Sequence, residues 1–247
     1  MKKFIIIICV IITLGLYLNR AYAHIYSVIG NENLSNPTMR SPATITPATA
    51  TTKTITYAAL GDSLTAGVGA NVETESYPYR LGEILAREAD TQVSVVSWGQ
   101  PGATAIDVLK EQVPPTVKLR PDVVTLAIGI NDMHNRIAGP VFQTTLVAIV
   151  DELSKVIKHI NVITIPYLGN NKTFLPPYRY YFDWQTRRFN QLLKTALAGK
   201  PVTIIDLYSL TRERAFNDAD YYSADGFHPS ATAYNFWSTT IYDHLDY

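Results

Sequence analysis

The chain has 247 residues, 47% of them hydrophobic, which suits one domain with a sizeable core plus a targeting segment and excludes global disorder. Lysine plus arginine (21) balances aspartate plus glutamate (21), and no long run of like charge occurs. Neutrality removes the electrostatic case for nucleic acid or an anionic membrane surface as partner.

The first segment reads as a targeting signal. Met1-Lys2-Lys3 is a short basic start, Phe4 to Leu18 is almost wholly apolar, and Ala21-Tyr22-Ala23 carries small residues where a signal peptidase reads them. Residues 1–23 are therefore expected to be a secretory signal peptide. Cleavage is favoured, because the apolar run of about 15 residues is short for a spanning helix. Retention as an N-terminal membrane anchor is the alternative. Either outcome puts the remainder outside the cytoplasm, secreted or tethered to the outer face of the cytoplasmic membrane. Cys9, the single cysteine, lies in this run without the small-residue pattern of a lipoprotein box. The mature chain then has neither a disulfide nor a thiol nucleophile. Residues 24–54 are rich in Thr, Ala, Pro and Ser and are expected to form a flexible tether.

From residue 55 short β-branched runs alternate with helical patterns. Strands are predicted at Ile55 to Leu60, Val93 to Val96, Val123 to Ile128, Val162 to Ile165 and Val202 to Ile205. Helices are predicted at Tyr77 to Ala89, Ala103 to Val113 (stopped by Pro114-Pro115), Val141 to Ile160, Trp184 to Leu197, and Pro229 to about Leu245, with Pro229 in the first turn. Continuous apolar strands separated by helices imply a parallel sheet covered on both faces. In such sheets the ligand site lies beyond the carboxyl ends of the strands.

Four clusters fall at those ends or before the last helix. Gly61-Asp62-Ser63-Leu64-Thr65-Ala66-Gly67 follows the first strand and offers Ser63 as a nucleophile, which needs a base within hydrogen-bond reach. The plain alternative is that Ser63 caps a helix. Ser223-Ala224-Asp225-Gly226-Phe227-His228-Pro229 sets an aspartate three residues before a histidine, so that Asp225 can orient His228 and His228 can face the serine. A surface Asp-Gly turn is the alternative there. Gly129-Ile130-Asn131-Asp132 offers the Asn131 amide to a developing negative charge, and Pro101-Gly102-Ala103-Thr104 offers the Gly102 N–H. A turn asparagine and a simple helix entry are the corresponding alternatives.

Together these clusters resemble the four sequence blocks of the SGNH (GDSL-type) hydrolases. Ser63 matches the GDSL block, Gly102 the second, Asn131 the G-x-N-D block, and Asp225 with His228 the D-x-x-H block. The resemblance covers residues 55–247. It departs from the family in the second block, where Ser97-Trp98-Gly99 stands in place of the usual asparagine ahead of the glycine. It implies an α/β fold, a flavodoxin-like three-layer α/β/α sandwich with a five-stranded parallel sheet. It also implies ester or thioester hydrolysis without a cofactor. The oxyanion hole would comprise the N–H groups of Ser63 and Gly102 and the Asn131 amide.

Other chemistries lack their signatures. There is no G-x-S-x-G elbow, no H-E-x-x-H and no phosphate or dinucleotide glycine loop, and His134 near Asn131 is a lone histidine. No metal is expected. The substrate stays open among small acyl esters, lipids and acylated glycans. The segment Leu175 to Trp184, with five aromatics, either lines the site or packs as ordinary structure. An O-acyltransferase or deacetylase on a cell-surface glycan, and a non-catalytic surface binding module, are the competing functions. The protein is expected to act as a monomer.

Overall fold

The computed structural model describes residues 2–29, 42–47, 51–167, 173–218 and 220–247. Six strands form one sheet in the order β1-β3-β2-β4-β5-β6: β1 Ala43–Ile45, β2 Thr51–Gly61, β3 Thr91–Ser97, β4 Val123–Ala127, β5 His159–Ile163 and β6 Thr203–Ile205. β2 to β6 pair in parallel, which gives the five parallel strands expected. The sheet has one strand more than expected. β1 pairs antiparallel with β3, Ala43 opposite Val95 and Ile45 opposite Val93.

β1 and the start of β2 lie in the stretch 24–54 expected as a tether, so the folded unit begins before residue 55. The Thr-rich composition hid β1 because three residues carry too little pattern; the waiting edge of β3 makes the strand. Residues 30–41 and 48–50 of that stretch lie outside the described residues.

The helices cover both faces, as strands buried on both sides require. α3 (Tyr77–Glu88) packs on β3 and against α10 (Ala231–Tyr242), which also meets α9 (Leu207–Asn217). On the other face α7 (Gly139–Leu153) packs against α8 (Tyr178–Ala196) and α5 (Val113–Leu119). α2 (Ser63–Ala66), α4 (Ala105–Asp107) and α6 (Ile130–His134) are short turns after β2, β3 and β4.

Several boundaries differ from the sequence reading. Pro114-Pro115 does not stop the helix; a π-turn (Val108–Gln112) follows α4, and the prolines occupy the first turn of α5, where no intrahelical N–H is needed. α7 ends at Leu153, because Ile157 and Ile160 keep helical spacing only by coincidence with the start of β5. α8 begins six residues before Trp184 and absorbs most of the aromatic segment. α9 is an additional helix whose polar composition gives no apolar stripe. α10 starts at Ala231 with the Ser230 hydroxyl accepting from the Ala233 N–H; Pro229 lies outside it, bridged to Tyr222.

α1 (Lys2–Ile29) runs without interruption through the Ala21-Tyr22-Ala23 signal. Its run from Phe4 to Leu16 is exposed, whereas Ala21 and Ile25 are buried against the domain.

Candidate active site

The chain leaves β2 toward β3 on one side and then places β4 on the other, so the sheet's switch point lies between β2 and β4. Loops diverge there and open a crevice. Ser63 follows β2 and Asn131 follows β4, so both sit at this point.

Asp62 caps α2, its carboxylate accepting from the Leu64 N–H at 3.0 Å. The cap is therefore Asp62, and Ser63 is the first helical residue, whose N–H has no intrahelical acceptor. Burial pushes Asp62 up to about 7. The strand end before it is braced by Gln112: its side-chain carbonyl accepts from the Gly61 N–H at 2.8 Å and its amide donates to the Gly61 carbonyl at 2.9 Å.

The loop 221–230 carries the second half of the site. It is closed by hydrogen bonds from Ser223 N–H to the His228 carbonyl (2.8 Å) and from Ser230 N–H to the Tyr221 carbonyl (3.0 Å). Asp225 is buried inside it. Its Oδ1 accepts from the Ser223 hydroxyl at 2.7 Å and from the N–H groups of Phe227 and His228 at 3.0 Å each. Its Oδ2 meets His228 Nδ1 at 2.6 Å, and His228 Nε2 lies 3.0 Å from Ser63 Oγ. Burial alone would raise the Asp225 pKa; the hydrogen bonds from His228 and Phe227 outweigh it and hold the carboxyl below its ordinary value. Ser63, His228 and Asp225 are thus brought together from opposite ends of the chain.

Asn131 donates through Nδ2 to the Ala103 carbonyl at 2.9 Å. That bond uses one amide proton, ties Asn131 to the segment carrying Gly102, and leaves the second N–H to point elsewhere. Gly102 has φ +84, a conformation open to glycine and strained for other residues, although a Cβ there would meet no atom within 4 Å. Asp132, fully buried, accepts from the Ala105 N–H at 3.0 and 3.2 Å. Burial pushes its carboxyl up to about 6. Asn131 and Asp132 together clamp the Ala103–Ala105 backbone.

A Cβ on Gly99 would lie 2.3 Å from the Ala66 nitrogen and 2.5 Å from the Thr65 carbonyl carbon, so this turn packs directly on the α2 backbone. The Ser97 hydroxyl donates to the Thr65 carbonyl at 3.2 Å, and the Gln100 N–H donates to the Gly61 carbonyl at 3.1 Å.

Sequence reasoning gave no role to Gln112, Asp132 or Gly99. Gln112 left one signal, a polar residue four positions after Val108 on the buried face of a helical run. His134 lies between the rings of Phe182 (5.5 Å) and Phe227 (5.9 Å), and Phe227 in turn packs edge-on against His228 at 5.0 Å. Burial holds the His134 pKa below its ordinary value. Among the described residues no cluster of His, Cys, Asp and Glu has the makings of a metal site.

A cleft of about 450 Å³ is lined by Met133, His134, Pro177, Tyr178 and Phe182 and, from α1, Tyr22.

The profile of the GDSL-like lipase/acylhydrolase family matches residues 59–236, a span that contains Ser63, Gly102, Asn131, Asp225 and His228. The spore germination lipase LipC of Bacillus licheniformis is 23% identical over 205 residues, covering 76% of this chain and 95% of LipC. Among solved structures, a lipase/acylhydrolase from Enterococcus faecalis is similar with a TM-score of 0.63 and 23% identity, over 78% of this chain and 97% of that one. Axe2, an acetylxylan esterase from Geobacillus stearothermophilus, is similar with a TM-score of 0.58 and 18% identity, over 81% of this chain and 96% of that one.

Proposed function

The chain belongs to the GDSL-like lipase/acylhydrolase family and is a carboxylic ester hydrolase, and we propose that it works through an acyl-enzyme on Ser63, with His228 as base and Asp225 orienting it. The observation that carries this reading is the continuous line of hydrogen bonds from Asp225 Oδ2 through the imidazole to Ser63 Oγ.

Ser63 Oγ attacks the acyl carbon as His228 Nε2 takes its proton. Asp225, ionised and held by three donors on its other oxygen, fixes the tautomer with the proton on Nδ1 and stabilises the imidazolium. The tetrahedral oxyanion is held by the N–H groups of Ser63 and Gly102 and by the second N–H of Asn131. His228 then protonates the leaving alcohol, and a water repeats the sequence to release the acid. The basic start and apolar run of α1 support work outside the cytoplasmic membrane.

The test is hydrolysis of p-nitrophenyl acetate, butyrate and longer esters by the full chain beside Ser63→Ala. Activity that disappears in Ser63→Ala supports the mechanism; activity that survives in the folded variant refutes it.

A further inference from the structure

The α1 helix is apolar enough to cross a membrane: the most apolar 18-residue stretch within Lys2–Ile25 has mean hydropathy 2.2, and only 6% of it is buried. Phe4 to Leu16, the run left exposed, measures about 18 Å at 1.5 Å per residue, shorter than the ~30 Å hydrocarbon core of a bilayer, a mismatch that snorkelling of Lys2 and Lys3 and local thinning of the bilayer take up. The basic Lys2-Lys3 end sets the other end outside. That outer end does not hang free. Ala21 and Ile25 are buried, the Tyr17 hydroxyl donates to the Pro176 carbonyl at 2.8 Å, the Tyr178 hydroxyl donates to the Leu18 carbonyl at 3.2 Å, and the Tyr22 and Tyr178 rings lie 5.7 Å apart. A helix that enters the bilayer through Phe4–Leu16 and docks along residues 17–25 holds the domain flush against the lipid headgroups.

The surface brought to that level suits it. Tyr180 (61% exposed), Tyr181 (47%) and Trp184 (52%) stand out from the first turns of α8, and Tyr22 is exposed beside them. Tyrosine and tryptophan are the residues that settle at membrane–water interfaces. Arg179 stacks over the Tyr180 ring at 4.8 Å, and Arg136 lines the cleft, which places positive charge at headgroup depth. The neutral net charge is no obstacle, because α1 supplies the attachment and the charge acts only locally.

The cleft of about 450 Å³ lies between Tyr22 of α1 and Tyr178 and Phe182 of α8. Met133 and His134, which help line it, end the turn that carries Asn131, and His134 is one ring, Phe227, away from His228.

We propose that α1 is retained, and that its outer end and the start of α8 seat the enzyme on the bilayer so that the cleft between them takes an acyl chain of a membrane lipid ester toward Ser63. The substrate part rests on the ester-hydrolase mechanism above; the seating part does not.

The two are tested separately. The full chain carrying Ser63→Ala is reconstituted in phosphatidylcholine–phosphatidylglycerol vesicles, with and without lipid brominated near the headgroup. Trp184 emission, taken as the difference between this protein and the same protein with Trp184→Phe, is expected to be quenched by the brominated lipid. An unquenched Trp184 in a vesicle-inserted chain overturns the seating, as does recovery from cells of a chain beginning at His24. With Ser63 intact, the ratio of phospholipid-ester to p-nitrophenyl acetate turnover is expected to fall about tenfold in Tyr22→Ala or Tyr181→Ala, the scale of one lost aromatic burial. An unchanged ratio, or faster turnover of acetylated xylan than of vesicle lipid, overturns the substrate part. If the intact chain hydrolyses no ester, the mechanism fails, and the quenching still decides the seating.

Discussion

Replacing Asp225 by asparagine tests the geometry of the triad more sharply than deleting it. The two carboxylate oxygens of Asp225 face different partners. Oδ1 accepts from Ser223, Phe227 and His228 N–H, and Oδ2 faces His228 Nδ1. Asparagine must put its carbonyl on one side and its NH₂ on the other. Placing the NH₂ against the three donors loses three buried hydrogen bonds at roughly 1–3 kcal/mol each, or about 3–9 kcal/mol in sum. The amide therefore keeps its oxygen on the loop side and presents N–H to Nδ1. His228 must then carry its proton on Nε2, facing Ser63 Oγ at 3.0 Å, where it cannot act as a base. A wrong tautomer of this kind costs on the order of 10⁴ in turnover, equivalent to about 5.5 kcal/mol of barrier. The fold should survive, because the three loop hydrogen bonds are kept. The assay is kcat for p-nitrophenyl acetate at pH 7.5, with thermal unfolding as the control for folding. A folded Asp225→Asn protein that loses less than about tenfold would refute the assignment of Asp225 as the orienting group.

Three further outcomes follow from the same geometry. Asn131→Ala removes one oxyanion donor and should lower kcat by roughly 10²–10³ with a smaller change in KM; unchanged turnover takes Asn131 out of the site. Gln112→Leu leaves the buried Gly61 N–H without its partner, while the Gly61 carbonyl keeps the Gln100 donor, so stability should fall by about 1–3 kcal/mol in urea unfolding and turnover should fall with it. Asp62, raised from 3.8 to about 7, binds a proton more readily folded than unfolded, so its contribution opposes folding increasingly as pH rises from about 4 to 7 and levels off above that. At 1.36 kcal/mol per unit the three-unit shift amounts to about 4 kcal/mol at most. Asp62→Asn keeps an acceptor for Leu64 N–H, so its stability should gain on the wild type as pH rises from about 4 to 7 and hold that gain above; parallel stability curves would count against a buried, raised carboxyl.

The parts of the proposed site legible in the sequence share one property. Ser63, Gly102, Asn131 and the Asp225–His228 pair each lie in a short cluster at a strand end or before a capped helix, so local pattern announces them. Gln112, Asp132 and Gly99 were opaque because their roles exist only across the fold: Gln112 acts on Gly61, 51 residues away, and Gly99 is needed only because α2 packs against it. The five parallel strands were readable from continuous β-branched runs, whereas β1 is a strand only because β3 offers it an edge. The end of α7 was misplaced because Leu153, Ile157 and Ile160 keep helical spacing across the gap between α7 and β5. The docking of α1 on α8 was invisible, since the small residues that mark a cleavage signal are also those that let a helix approach a surface closely.

The most direct measurement is the site of the covalent intermediate. The enzyme is mixed with p-nitrophenyl acetate, quenched in acid within the first turnovers, digested and analysed by mass spectrometry. An acetyl group on the peptide containing Ser63, absent from Ser63→Ala and greatly reduced in a folded His228→Ala, is the expected result. Acetylation at another residue that turns over at the catalytic rate, or full hydrolysis by Ser63→Ala, would contradict it.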